Sequence, residues 1–161
     1  MRPHPRRRTT IGIALAPLLL LTACSGSSEK DAEDVREAIV ANAPGVEDAM
    51  VRYRTDVLAN DLDIRLSMPT TGEEDDAALL AAIDAALDQA WNASASEPSS
   101  INLDVVVAPL VDGDRIGDSR AIAMTDRGID VALGLENGTN RSSVVVPSDV
   151  LAERYGQRSD T

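Results

Sequence analysis

The chain has 161 residues and a formal net charge of −12 at neutral pH. So acidic a surface is a poor match for nucleic acid, where Lys and Arg must neutralise phosphates. Phe is absent and Trp91, Tyr53 and Tyr155 are the only aromatic residues, so any core has to be aliphatic.

The first segment carries its own logic. Arg2, Arg6, Arg7 and Arg8 precede an apolar run from Ile11 to Leu21, and small residues follow. That order is the pattern of a secretory signal. The closing Leu21-Thr22-Ala23-Cys24 resembles the lipobox of bacterial lipoprotein precursors. The resemblance covers residues 1–24 and implies removal of residues 1–23, diacylglycerol on the Cys24 sulfur and a place on the extracytoplasmic face of the cell membrane. An uncleaved span is disfavoured, because crossing a bilayer takes ~20 apolar residues and Pro17 interrupts this shorter run. A soluble secreted product is the other alternative. Arg7-Arg8 also invites a twin-arginine route, with general export favoured.

Loss of residues 1–23 removes four of the 15 basic residues and none of the 27 acidic ones, leaving a net charge of −16. Anionic headgroups should repel such a domain, but only within about 8 Å at physiological salt. Two or three acyl chains hold a protein lastingly where one does not, so the anchor decides residence. Ser25 to Ser28 read as a flexible leash, and residues 24–30 as lipidated cysteine plus tether.

Residues 31–156 are expected to form a single α+β domain. A helix is predicted over Asp31–Asn42, with Ser28 and Asp31 near its start and Pro44-Gly45 at its end;. A strand over Val46–Thr55 follows, with Ala49, Val51 and Tyr53 on one side and Met50, Arg52 and Arg54 on the other. The clearest strand pairs Leu62, Ile64, Leu66 and Met68 against Asp61, Asp63, Arg65 and Ser67, predicting one buried and one wet face;. Thr71 and Glu74 form a capping box for a second helix whose stripe is Leu80, Ile83, Leu87 and Trp91;. Residues 92–100 read as a loop. Ile101–Ala108, apolar on both faces through Val105, Val106 and Val107, reads as a central strand, parallel to Leu62–Met68 through the helix;. Strands are also expected over Arg120–Thr125 and Ile129–Leu135, the latter joined through an Asn137-Gly138 hairpin to Ser143–Val146;. Ser148 is expected to cap a last helix, Asp149–Tyr155, stopped by Gly156, with residues 157–161 as a disordered tail. The sum is a two-layer sandwich, a mostly antiparallel sheet with helices on one face, and a ferredoxin-like core is the preferred version.

The chemistry expected of such a domain is non-catalytic. The single histidine, His4, lies in the signal, and the single thiol, Cys24, is the expected site of lipid attachment. Beyond residue 24 there is then no imidazole or free thiol for a nucleophile–base pair. Lys30, the one lysine, sits beside the leash, and no phosphate loop or dinucleotide fingerprint occurs;. No cofactor is expected. Asp112, Asp114 and Asp118 make a weak calcium candidate, since calcium takes six to eight oxygen ligands; Arg115 intrudes and a solvated turn is the plainer reading. Arg52, Arg54 and Arg65 share the polar parity of neighbouring strands and form a candidate patch for an acidic partner. Cross-strand pairing with Asp61 and Asp63 is the plainer alternative. The expectation is a membrane-anchored interaction or scaffold module that meets an envelope protein, with a small-solute or calcium-binding lipoprotein as the alternative.

Overall fold

Alternating polarity in two neighbouring strands, and one helix between them, set the architecture. The computed structural model describes residues 25–55, 59–69, 76–111, 113, 115–117, 120–135 and 141–158. Helix α1 (Ser25–Asn42) leads into strand β1 (Asp48–Thr55), then β2 (Asn60–Met68), α2 (Asp76–Ala93) and β3 (Ser100–Val107). A 3-10 turn (Thr125–Arg127), a short α3 (Ile129–Ala132), β4 (Ser143–Pro147) and α4 (Ser148–Tyr155) complete it. The sheet is mixed and its neighbours follow chain order, β1-β2-β3-β4. β1 and β2 pair antiparallel, β2 and β3 parallel, and β3 and β4 antiparallel.

The protein is thus an α+β two-layer sandwich. A ferredoxin-like core is not what this order describes. There the parallel strands of each βαβ unit are split by an inserted strand, whereas β2 and β3 hydrogen-bond directly.

One face of the sheet carries the apolar set. Val51, Ile64, Leu103 and Val144 align in one cross-strand row, and Tyr53, Leu62, Ile101 and Val146 in the next. α2 lies between α1 and α4 in the helical layer and buries Leu79, Ala82, Ile83, Ala86, Leu87, Ala90 and Trp91. The stripe is rotated slightly from its expected position: Leu79 is fully buried and Leu80 only half-buried against the core. Trp91 belongs to that core, its indole Nε1 donating to the Gly156 carbonyl at 3.0 Å. α4 is fastened to α2 by Asp84, whose Oδ1 accepts from Arg154 Nε and from the Tyr155 hydroxyl, each at 2.7 Å.

α1 buries Val35 and Ile39 and is tied to the sheet edge through Arg36, which donates to Ala49 O at 3.0 Å and Asp48 Oδ1 at 2.6 Å. It begins at Ser25, six residues before the expected start, so the residues read as a leash continue the helix. No proline or β-branched residue interrupts that stretch, and a Lys30–Asp34 pair at 2.5 Å has the i,i+4 spacing that supports helix;. Asp31 does not cap α1; its Oδ1 accepts from the Ala95 amide, joining α1 to the α2–β3 loop. Gly45, at φ +74°, turns the chain out of the helix in a conformation that disfavours any side chain;.

The segment after β3 departs most from expectation. Arg120–Thr125 is not a strand: only Ala121 forms a bridge, to Val106. Ile129–Leu135 is helical over its first four residues, with Ile129 and Leu133 buried one turn apart and Val131 74% exposed. β4 therefore pairs with β3 rather than with Ile129–Leu135. Asn137-Gly138 and the Thr71/Glu74 capping box lie outside the described residues. The tail is partly docked, since Arg158 sits 5.6 Å from the Trp91 ring centroid and donates to the carbonyls of Ser94 and Ser96.

Burial pushes the phenols of Tyr53 and Tyr155 well above their ordinary value of 10.0, with Asp31 and Asp84 adding to the shift. The unfolded chain releases these protons first, so stability present below pH 10 is lost as pH rises above it. Urea unfolding midpoints should fall steadily above that pH, and Tyr53→Phe with Tyr155→Phe should flatten the decline. Phenolate absorbance appearing at the ordinary value while the protein stays folded would contradict this.

Candidate functional site

The sheet face opposite the helices is built from the other parity. Its rows read Arg54–Asp61–Ser100, Arg52–Asp63–Asn102 and Met50–Arg65–Asp104–Ser143, with Ser67–Val106 beyond. The expectation of a uniformly wet face fails for half of it. Arg65 and Asp104 are completely buried, Ser67 is 1% exposed and Val106 is sealed as well. The segment after β3 folds back and covers them: Ile122 donates to Val105 O at 2.9 Å, and residues 115–117 lie over the ion pair.

Arg65 is accordingly removed from the proposed patch. Its Nε donates to Asp104 Oδ1 at 2.9 Å and its Nη2 to Asp104 Oδ2 at 2.5 Å, a two-pronged pair between register partners. Arg65 Nη2 also donates to the Arg115 carbonyl, and the Gly117 amide donates to Asp104 Oδ2 at 2.6 Å. Two charges withdrawn from water persist only when their hydrogen-bonding capacity is met inside. Here the loop supplies it. The described part of the stretch weighed as a calcium site thus serves as a lid on an ion pair. Asp112, Asp114 and Asp118 lie outside the described residues, and so does Cys24. Among the described residues no group of three His, Cys, Asp or Glu is placed to hold a metal.

The open half of the face is different. Arg52 and Arg54 stay exposed, and with Met50, Asp63 and Asn102 they line a cleft of about 320 Å³, closed on one side by Arg115 and Ile116. Cross-strand pairing explains part of its order. Arg54 Nη2 donates to Asp61 Oδ2 at 3.2 Å, and Ser100 Oγ donates to Asp61 Oδ1 at 2.8 Å. Asp63 is not used by its register partner Arg52; its Oδ1 accepts from Asn102 Nδ2 at 3.2 Å. Arg54–Asp61 is an exposed pair of the kind that contributes 0.2 to about 1 kcal/mol, so it shapes the cleft more than it stabilises the fold.

Two further clefts differ in kind. One of about 250 Å³ is lined by Asp31, Tyr53, Asn60 and Ser96, and there Asn60 Nδ2 already donates to Ser96 Oγ at 2.9 Å. The other, about 360 Å³, lies between Leu133, Gly134 and α4.

Strand parity alone marks Arg52 and Arg54 in the sequence, whereas it does not mark Asn102, Arg115 or Asp104 as part of this face. Asp104 had a visible signal: a carboxylate within Leu103-Asp104-Val105-Val106-Val107 must meet a cation if both faces of that strand are covered;.

The buried pair makes a sharp prediction. Arg65→Met or Asp104→Leu alone strands one charge and should cost about 3–5 kcal/mol. The double variant should recover most of that loss in urea unfolding. A double variant no better than the singles would show that the lid, not the pairing of charges, sets the energy.

Comparison of the chain with protein-family models, with curated proteins and with solved structures found no match in any of the three.

Proposed function

We propose that this chain is a bacterial lipoprotein held at the extracytoplasmic face of the cell membrane through an acylated Cys24. Its domain acts as a non-catalytic interaction module that meets an envelope protein through the open half of the sheet. Support for the address comes from the basic start, the apolar run and Leu21-Thr22-Ala23-Cys24. Support for the interaction surface rests on one observation: Arg52 and Arg54 stay exposed beside a cleft while the other half of that face is roofed over. A domain with 16 more acidic than basic residues beyond residue 23 gains a local positive surface only where such arginines cluster;. The acidic remainder keeps the module apart from anionic headgroups and from nucleic acid.

A second reading, a lipoprotein that binds a small solute, draws on the same cleft. Its volume stands at the lower end of the range for small-molecule sites.

Cys24→Ser should move the protein from the membrane fraction to the soluble extracytoplasmic fraction. Unchanged membrane partitioning of that variant would refute the anchor. A photo-crosslinking residue at position 52 should capture one discrete envelope protein, whereas the same residue at exposed position 37 on α1 should not. Equal capture from both positions would refute the open sheet face as the contact surface.

A further inference from the structure

Ten arginines fall among the described residues, and nine of them have a partner. Arg36, Arg54, Arg65, Arg127, Arg141 and Arg154 each meet a carboxylate. Arg120 and Arg158 donate to carbonyls, and Arg115 is also engaged. Among the described arginines, only the Arg52 guanidinium has neither ion pair nor hydrogen bond. In a chain with 27 acidic residues that is an unusual place to leave a guanidinium unmatched.

The reason lies one strand away. Asp63 is the register partner of Arg52, so their Cβ atoms are about 5 Å apart;. Its Oδ1 is held by Asn102, and its Oδ2 has no donor among the described residues. Both oxygens of Asp61 already accept a donor, Oδ2 from Arg54 and Oδ1 from Ser100. The cleft therefore presents a donor fork on β1 and, at the register position beside it on β2, an acceptor oxygen. Met50 and Ile116 supply an apolar wall beside them.

We infer that the cleft is a binding site for a carboxylate that carries its own hydrogen-bond donor two or three bonds away, with Arg52 taking the acid and Asp63 the donor. A guanidinium binds a carboxylate through two parallel N–H donors, which fixes orientation as well as charge. A carboxylate without a donor leaves Asp63 Oδ2 unanswered. An inorganic cation finds Arg52 repelling it. The chemistry is shared by a free α-hydroxy or α-amino acid and by an acidic side chain beside a peptide N–H in a partner protein. The inference deepens the interaction reading but does not depend on Cys24.

The test is a titration of the ¹⁵N-labelled full chain in detergent, followed by nuclear magnetic resonance at constant ionic strength. Three probes are compared: sodium lactate, sodium propionate, and an acetylated, amidated Gly-Asp-Gly peptide. Lactate or the peptide should shift the Arg52 Nε–H resonance and the Ile116 amide, and propionate should bind several-fold more weakly. Arg52→Gln should weaken binding at least tenfold, and Asp63→Asn should erase the preference for lactate over propionate. Tighter binding of the peptide assigns the site to a protein partner; tighter binding of lactate assigns it to a free acid. No saturable shift with any probe, or equal shifts in Arg52→Gln, would overturn the inference. So would a double-mutant cycle in which Arg52 and Asp63 couple strongly to each other and no probe binds. Failure of Cys24→Ser to leave the membrane would refute the anchor while leaving this result intact.

Discussion

The Arg65–Asp104 pair is the constraint around which the polar side of this protein is organised. It joins β2 to β3 where those strands run parallel, and parallel neighbours have no tight turn to fix their register;. Slipping either strand by one residue would carry Arg65 or Asp104 into the aliphatic layer beneath the helices, an outcome that costs far more than a misplaced Val. The pair therefore specifies alignment, and the aliphatic rows supply most of the burial. It also dictates what happens after β3. Once both charges are buried, a backbone carbonyl and an amide must come to them, and residues 115–117 are recruited for that purpose.

This division explains why one face of the sheet is half covered and half open. The roof extends over Ser67, Val106, Arg65 and Asp104 and stops at Ile116. Beyond that edge the side chains are polar enough to face water, and they bond among themselves: Arg54 and Ser100 with Asp61, Asn102 with Asp63. The cleft exists because the lid ends there. The buried ion pair and the proposed contact cleft thus occupy adjacent rows of one surface, and a change to the buried row is expected to disturb the exposed one by shifting Arg115 and Ile116.

Much of this was written plainly in the chain. The strict alternation from Asp61 to Met68 and the apolar spacing of the second helix announced β2 and α2, and the run Val105 to Val107 announced an interior strand. These are local signals with one period each. Arg65 failed as a surface residue because its partner is 39 positions away, and parity alone cannot say whether a loop will later cover a face. Ile129 to Leu135 failed for a different reason. Ile129 and Leu133 fit a strand's alternation and a helix's turn equally well, and only Val131, outside in the structure, separates the two;. At the other end, Ser25 to Lys30 contain turn-favouring residues but nothing that forbids helix, and packing of Val35 and Ile39 farther along carries the element backward to Ser25.

That early start of α1 changes what an anchor at residue 24 would mean mechanically. Six helical residues rise only about 9 Å, roughly half the span of the same residues drawn out. They also resist bending. A swivelling string would let the domain sample a hemisphere above the bilayer; a stiff post transmits every tilt of its base to the body it carries. Encounters with neighbours in the envelope would then be governed by fixed height and heading, so lengthening or softening this one turn and a half of helix should alter which neighbours can be reached without touching a single contact residue.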